Sequence, residues 1–347
     1  RGGSSGALAS ESRADGAVMQ VDLGVFAHNE AAGIAAMVAR LKAQVVPDID
    51  LRILVLANGC TDDTVARALA AGAEVADLPE GGKSRTWNRF VHDLSRPGAG
   101  VLIFADADIL LPEPDALARL VNALQARPGL HVMNSRPVKD IVADPQGLGW
   151  QDRLIAMAGG TLDDWQTAIC GQLYAMPAAC ARLRWLPAGL PVEDGFLRAM
   201  VLTDDLTAPE DLSRIGGADV WHIYESERSL AGLIRHQVRI VIGSALNMAA
   251  FGALRGMAPV ARRAALQQAA RDQGWLRRIA RSRLPRWPDG FVPLHFLVKR
   301  SRNLLGQPRR LLRPKGVLLL IAGFGFDLIV WLIAQFRMFR GTGAGHW

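Results

Sequence analysis

The sequence predicts an α/β fold, a mostly parallel sheet flanked by helices, followed by a basic helical region. Three observations predict it. Apolar runs bounded by polar clusters alternate with helix-period segments over residues 18–127. The polar clusters AHNE, ANGCTDD and DAD fall at the C-terminal ends of apolar runs, where open parallel sheets bind ligands. Charge is divided along the chain. From residue 226 onward 21 Lys/Arg stand against 4 Asp/Glu, although the 347 residues together carry only +7, so the earlier part is acidic.

The elements follow in order. VMQVDLGVFAH (18–28) reads as a strand that ends in polar residues, and the alanine-rich 29–44 as a helix. LRILVLAN (51–58) is a second strand. TDDTVARALAAG (61–72) opens on Thr and two aspartates, suited to a helix N-terminus, and closes at Gly72. A short strand (73–78), a helix (82–94), the buried strand VLIFADAD (101–108) and a helix (114–127) complete the alternation. Further strands are expected at 130–138, within 169–179 around a Gly break, and at 218–225, with a helix at 191–204 that starts on an acidic pair.

Beyond residue 226 the pattern is helical, basic and apolar. Residues 229–254 mix apolar stretches with Arg and read as an amphipathic helix lying at a membrane interface. Residues 317–336 hold one charge, Asp327, and are long enough to span a bilayer. A tilted span, a re-entrant hairpin broken near Gly323 and Gly325, an interfacial helix and a buried core helix all remain open. The basic balance points to an anionic membrane surface, on the cytoplasmic face. No helix-turn-helix, zinc-finger or RNA-recognition signature supports nucleic-acid binding. Three cysteines, Cys60, Cys170 and Cys180, follow no metal-binding or CxxC spacing and suit a reducing compartment. The division expected is a flexible tail (1–17), an α/β domain (18–226) and the basic helical region (227–347).

Asp106 and Asp108 end the strand 101–108. Residues i and i+2 of a strand share a face, so the two carboxylates converge. Paired hard oxygens suit Mg²⁺ or Mn²⁺ completed by phosphate oxygens and water. Around them stand Ala27-His28-Asn29-Glu30, Asn58-Gly59-Cys60-Thr61-Asp62-Asp63-Thr64, and Lys83 and Arg85 after Gly81-Gly82, with Asn88 one turn on. In this order the residues resemble the "YNE", "DNGSTDGT", "GKxxALN" and "DADxxxxP" motifs of family 2 glycosyltransferases of the GT-A fold. The last appears here as DADILLP, and the resemblance covers roughly residues 18 to 240.

The resemblance implies roles. Ala27, His28 and Glu30 match positions that hold the nucleoside. Asn58 replaces the Asp that usually contacts the base. Lys83 matches the residue near the diphosphate, Asp106 contacts ribose and metal, and Asp108 contacts the metal. Glu193-Asp194 matches the "ED" pair, with Asp194 the base that takes the acceptor hydroxyl proton and Glu193 its partner. His222 matches a histidine that in some relatives completes the metal or diphosphate site. The segment 235–240 resembles "QxxRW" with His236 and Ile240 in place of Gln and Trp. Arg239 is retained and reaches the diphosphate, whereas the missing Trp speaks against processive polymer synthesis. Gly171 falls near the acceptor, where a glycine lets backbone approach the sugar. Asp163, Asp164 and Trp165 are further contact candidates.

The expected activity is metal-dependent, inverting transfer of a sugar from a nucleotide-diphosphate sugar, a UDP-sugar first, to a hydroxyl of a membrane lipid or lipid-linked acceptor. A polyprenyl-phosphate glycosyltransferase and a non-catalytic membrane-associated nucleotide-sugar-binding protein are the alternatives.

Overall fold

The structure is a computed structural model that describes residues 18–144, 149, 164–284, 291–306 and 314–341. The tail expected over 1–17, and Asp163, lie outside the described residues.

Seven strands form one sheet: β1 (Met19–Ala27), β2 (Ile49–Asn58), β3 (Glu74–Leu78), β4 (Val101–Asp106), β5 (Val132–Lys139), β6 (Leu173–Pro177) and β7 (Ile215–Tyr224). Their order is β3-β2-β1-β4-β6-β5-β7. β3, β2, β1 and β4 run parallel, as the alternation with helices requires. β6 is antiparallel to both β4 and β5, so the sheet is mixed on one side of β4. β5 and β7 are again parallel, with an irregularity between Asn134 and Arg136.

Alternation along the strands sorts the core into two layers. Val21, Leu23, Val25, Ile103 and Ala105 face one side. There they meet α1 (Ile34–Lys42) through Ile34, Met37, Val38 and Leu41, and α4 (Ala116–Gln125) through Leu117, Leu120, Val121 and Leu124. Both helices bury residues spaced three and four apart, the stripe of a one-sided helix. α2 (Thr64–Ala70) packs at the β2–β3 edge.

Phe26, Leu54, Leu56, Leu102 and Phe104 face the other side, against α3 (Lys83–Arg89), the following π-helical turn Phe90–Leu94, and α7 (Glu193–Leu202). The single helix expected over 82–94 thus changes winding at Phe90. Between these elements lie the short α5 (Asp140–Ala143) and α6 (Ala178–Arg182).

The C-terminal helices are α8 (Leu230–Leu254), α9 (Pro259–Arg271), α10 (Trp275–Arg283), α11 (His295–Leu305) and α12 (Pro314–Arg340). Two expectations change here. α8 is not an interfacial helix. Val238, Ile242, Ala245 and Leu246 are buried against α10 and α12, while Ala250 and Leu254 complete the core beneath α3 and α7. Its apolar sequence serves packing on two sides at once. The re-entrant hairpin at 317–336 is also excluded, because α12 runs unbroken through Gly323 and Gly325. By length and composition both α8 and Leu320–Arg340 of α12 could cross a membrane. However, 61% of the apolar window of α8 is buried in the protein, against 17% for α12.

Candidate active site

The loops after β1, β2 and β4 meet at one rim of the sheet. His28 Nδ1–H donates to the Asn58 carbonyl at 2.7 Å, which fixes its tautomer. The Glu30 backbone N–H donates to Thr64 Oγ1 at 2.8 Å, and that of Thr61 to Asn29 Oδ1 at 2.8 Å. These bonds tie the AHNE and NGCTDDT segments together. Ala27 itself is buried in the core, so only its backbone is available to a ligand. Glu30 has its pKa raised by burial first and then by the carboxylates of Asp108 and Asp62.

Asn58 is buried, and its side-chain oxygen accepts from Thr86 Oγ1 at 2.9 Å. The carbonyl of this amide is therefore committed to α3. The amide nitrogen is the remaining atom that could read a base edge. At Gly59 (φ +62°) a Cβ would lie 3.0 Å from the Cα of Gly81 (φ +61°). The two loops pass backbone to backbone there, and this contact delivers Gly82 and Lys83 to the site.

α3 holds Lys83 at its first residue and is locked behind it. Trp87 stacks on Phe104, with ring centroids 5.6 Å apart, and Phe104 stacks on Tyr174 at 4.6 Å. Trp87 Nε1–H donates to the Tyr174 hydroxyl at 3.0 Å. Asn88 Nδ2 donates to the Leu186 carbonyl at 2.7 Å and its Oδ1 accepts from the Leu186 N–H. The Lys83 ammonium then reaches the centre of the site. It lies 2.7 and 2.9 Å from the two carboxylate oxygens of Asp106, 3.2 Å from the Gly171 carbonyl and 3.5 Å from Glu193 Oε1.

Asp106 closes β4, and its N–H donates to the Gln172 carbonyl at 2.8 Å. Asp108 is exposed on the loop beyond. That loop is pinned two residues later, where Leu110 and Ile223 exchange backbone hydrogen bonds at 2.8 and 2.9 Å.

Glu193 and Asp194 open α7, where the helix dipole favours acids. Asp194 Oδ1 accepts from its neighbour, the Gly195 N–H, at 2.7 Å. Gly171 (φ +62°) faces the same carboxylate, and a Cβ there would come 3.2 Å from Asp194 Oδ2. Gly171 thus makes room for the acid and gives its carbonyl to Lys83.

The charges in this cleft are coupled. Burial pushes Asp106 up to about 7, opposed by Lys83 and reinforced by Asp108. Burial and then Glu193 push Asp194 up to about 6, opposed by the Gly195 N–H, Lys83 and Arg239. For Lys83 burial acts downward, but Asp106, Glu193 and Asp194 outweigh it and hold the ammonium above its ordinary value. Arg239 lies on α8.

His222 takes a different place from the one expected. It is fully buried, its Nδ1 lies 2.9 Å from Ser135 Oγ, and its Nε2 lies 3.1 Å from Gln172 Oε1. Both ring nitrogens thus have a side-chain partner in this arrangement. Burial holds its pKa down to about 4, so the ring is neutral. It supports Gln172, whose carbonyl in turn receives the Asp106 N–H. Sequence reasoning missed Ser135 and Thr86, the partners of His222 and Asn58. Ser135 lies between Asn134 and Arg136 in β5, so no apolar pattern singled out its hydroxyl. Trp165 packs on β7, where a Cβ on Gly217 would overlap its ring, and Asp164 lies exposed in the preceding turn.

Among the described residues no three His, Cys, Asp or Glu side chains gather closely enough to hold a metal ion unaided. Asp106 and Asp108 supply two hard oxygen ligands, which fit Mg²⁺ or Mn²⁺ once ligand phosphate and water fill the remaining positions.

The sequence profile described as Glycosyl transferase family 2 matches residues 22–176, which include every strand-end cluster of this rim. These residues carry the resemblance to that family, over somewhat less than half of the chain. The mixed, mostly parallel sheet flanked by helices is the arrangement that the resemblance to GT-A enzymes implies.

Among curated relatives, glucosyl-3-phosphoglycerate synthase of Mycolicibacterium smegmatis (strain ATCC 700084 / mc(2)155) is 32% identical over 140 residues, covering 37% of this chain and 45% of the relative. The protein of the same name from Mycolicibacterium paratuberculosis (strain ATCC BAA-968 / K-10) is 34% identical over 92 residues, covering 24% of this chain and 27% of the relative. The chain therefore matches less than half the length of either. Among solved structures, glucosyl-3-phosphoglycerate synthase from Mycobacterium tuberculosis in complex with Mn²⁺, UDP-glucose and phosphoglyceric acid is 22% identical. It covers 65% of this chain and 78% of that one, with a TM-score of 0.44. The Mg²⁺ and UDP complex of the same protein gives 23%, 67%, 77% and 0.42.

Proposed function

We propose that the protein transfers a sugar from a nucleotide-diphosphate sugar to an acceptor hydroxyl, with inversion at the anomeric carbon. The observation that carries this reading is the convergence on Lys83. One ammonium holds the strand-end Asp106, Glu193 of α7 and the Gly171 carbonyl within 3.5 Å, with Asp194 against Gly171. Acids from positions 106 and 194 thus share one cleft.

The chemistry follows from the groups. Asp194 takes the proton of the attacking hydroxyl, and its raised pKa makes it a stronger base than an ordinary aspartate. Lys83 and Arg239 place positive charge where a diphosphate leaving group becomes more negative. His28 and Glu30 border the nucleoside end. A bound Mg²⁺ or Mn²⁺, held by Asp106 and Asp108, would neutralise part of the diphosphate charge. A UDP-sugar is the donor we favour, and the relatives' name makes a glucosyl group the first to test.

For the acceptor we favour a lipid hydroxyl at the cytoplasmic membrane surface, because the basic C-terminal helices leave apolar residues of α12 exposed. A second reading, a small phosphorylated acceptor, is favoured by the phosphoglycerate in the relatives' name. The test is incubation with UDP-glucose and other nucleotide sugars plus Mn²⁺ or Mg²⁺, with lipid extract or 3-phosphoglycerate as acceptor. Acceptor-stimulated release of the nucleoside diphosphate is expected. Its absence with every donor would remove the reading.

The shifted acids also set a pH dependence. As a base, Asp194 must be ionised, so kcat/KM should fall as pH drops through about 6. Stability runs the other way. Asp106 and Asp194 have folded-state values above the ordinary 3.8, so the unfolded chain gives up these protons first as pH rises. The stability they contribute is complete below that value and is lost as pH rises through 6 to 7. Thermal unfolding of the ligand-free protein should therefore show a smaller drop in Tm between about pH 5 and pH 8 in Asp194→Asn than in the wild type.

A further inference from the structure

We infer that the protein rests on an anionic lipid bilayer through one long face of α12, half-embedded and parallel to the surface rather than crossing it. This deepens the membrane reading proposed above and rests on it. The two sides of α12 are unlike. Asp327, Val330, Ala334 and Met338 step by three and four residues, are all at least nine-tenths buried, and line the side turned to the protein. The last three pack with Val238, Ile242, Ala245 and Leu246 of α8. The Trp331 Nε1–H donates to the Val292 carbonyl at 3.0 Å, and Gln335 bonds to the backbone of Phe291 and Val292. The inner side is thus fastened by packing and by hydrogen bonds.

The outer side carries Leu318, Ile321, Ile329, Leu332, Phe336 and Phe339, between 49% and 75% exposed. They too step by three or four once Gly325 is counted, where a Cβ would meet open space. The stripe runs nearly the whole helix, about 40 Å for 27 residues at the usual rise. Nothing among the described residues covers it.

A crossing helix would be surrounded by lipid or by other crossing helices. The neighbours of α12 are α8 and α11; α11 has only 11 residues, too few to span a bilayer, and α8 is held in the protein. Asn247 in its second half donates to the Val192 carbonyl before α7 at 3.0 Å, and its last turn carries Ala250 and Leu254 into the core of the sheet domain. With α12 fastened along α8, only its outer face is free to meet hydrocarbon.

The charge around the stripe names the lipid. Arg337 and Arg340 end α12, and Arg340 lies over the Phe336 ring, 4.4 Å from its centroid. Arg277 of α10 donates to the Gly341 carbonyl at 3.4 Å, which brings the basic α10 to the same end. Acidic residues are scarce in this region, and the one on α12, Asp327, faces inward. An apolar stripe with a basic rim fits a bilayer containing acidic headgroups.

The experiment uses the full chain and sealed vesicles of phosphatidylcholine, alone or mixed with phosphatidylserine. The expected result is co-sedimentation with the mixed vesicles, at least tenfold weaker with phosphatidylcholine alone and weakened by salt. Ile321→Ser/Leu332→Ser/Phe336→Ser should lower partitioning at least tenfold while UDP binding, measured by calorimetry, is unchanged, which shows that the variant is folded. In the variants Val317→Cys and Arg340→Cys, the introduced thiol should in both cases react with an impermeant maleimide added outside.

Protection of one of the two ends would show a crossing helix and overturn the inference. So would wild-type protein that ignores mixed vesicles, a triple variant that still binds them fully, or a wild-type dimer that the triple variant converts to monomer. Vesicle binding without sugar transfer would sink the transfer reading and leave this inference standing. Sugar transfer without vesicle binding would do the reverse.

Discussion

Asp194→Asn is expected to lower sugar transfer by about 10²- to 10⁴-fold, the usual range for removing a general base, while nucleotide binding persists. The substitution keeps the shape. An asparagine oxygen can still accept from the Gly195 N–H, as Asp194 Oδ1 does at 2.7 Å, and the amide fits the space that Gly171 leaves beside Oδ2. What it loses is the lone pair that takes the acceptor proton. The loss should therefore appear in kcat, with the KM for donor little changed. Calorimetry with the nucleoside diphosphate provides the control. The fall in kcat/KM as pH drops through about 6 should disappear in the residual activity, because the group responsible is Asp194. Full activity in this variant would return the reading to an acceptor that is already an anion and needs no base, as a polyprenyl phosphate would be.

Lys83→Met is expected to affect folding and chemistry together. The side chain is similar in length and apolar, so the packing of α3 behind it should survive. The ammonium, though, is the shared counter-ion of Asp106 and Glu193, and it holds the Gly171 loop through the carbonyl. Removing one partner of a buried ion pair typically costs about 3 kcal/mol, because the remaining charge stays buried. Some of this should be recovered at low pH, where Asp106 is protonated. Lys83→Arg should not rescue activity. A guanidinium can pair with both Asp106 oxygens, but it is bulkier and cannot place a single nitrogen within 3.5 Å of Asp106, Gly171 and Glu193 together.

Lys83 also occupies the carboxylate that a metal would need, so the free protein should bind Mn²⁺ weakly. In Lys83→Met, Mn²⁺ binding without nucleotide should tighten, read as loss of the free-ion signal in electron paramagnetic resonance. Unchanged stability and unchanged metal binding together would show that the ammonium does not hold the cleft.

The sequence carried the rim of the sheet further than its far half. Parallel strands buried on both faces read as continuous apolar runs, and their ends were marked by AHNE, NGCTDD and DAD. The structure brings those clusters, Lys83 and the ED pair into one cleft. The antiparallel β6 was less legible, because an apolar strand looks alike whichever way it runs and Gly171 signals a break without giving its direction. The partners of His222 were not legible, because Ser135 and Gln172 lie 87 and 50 residues away in sequence. A histidine whose two nitrogens are satisfied looks the same in one dimension as one with a nitrogen to spare. α8 was misjudged for a related reason: arginines among apolar residues look interfacial until both sides of the helix are found packed. Gly323 and Gly325 suggested a hairpin, but a helix held along one side by α8 tolerates glycine on its open side.

The central claim is that Asp194 drives a single displacement across the cleft from the leaving diphosphate. The configuration of the newly formed glycosidic bond tests it most directly, through the anomeric proton coupling of the first-formed product by nuclear magnetic resonance. An α-linked nucleotide sugar should yield a β-linked product. An α-linked product would show that the sugar leaves with its configuration retained and that Asp194 does not act as the base proposed here.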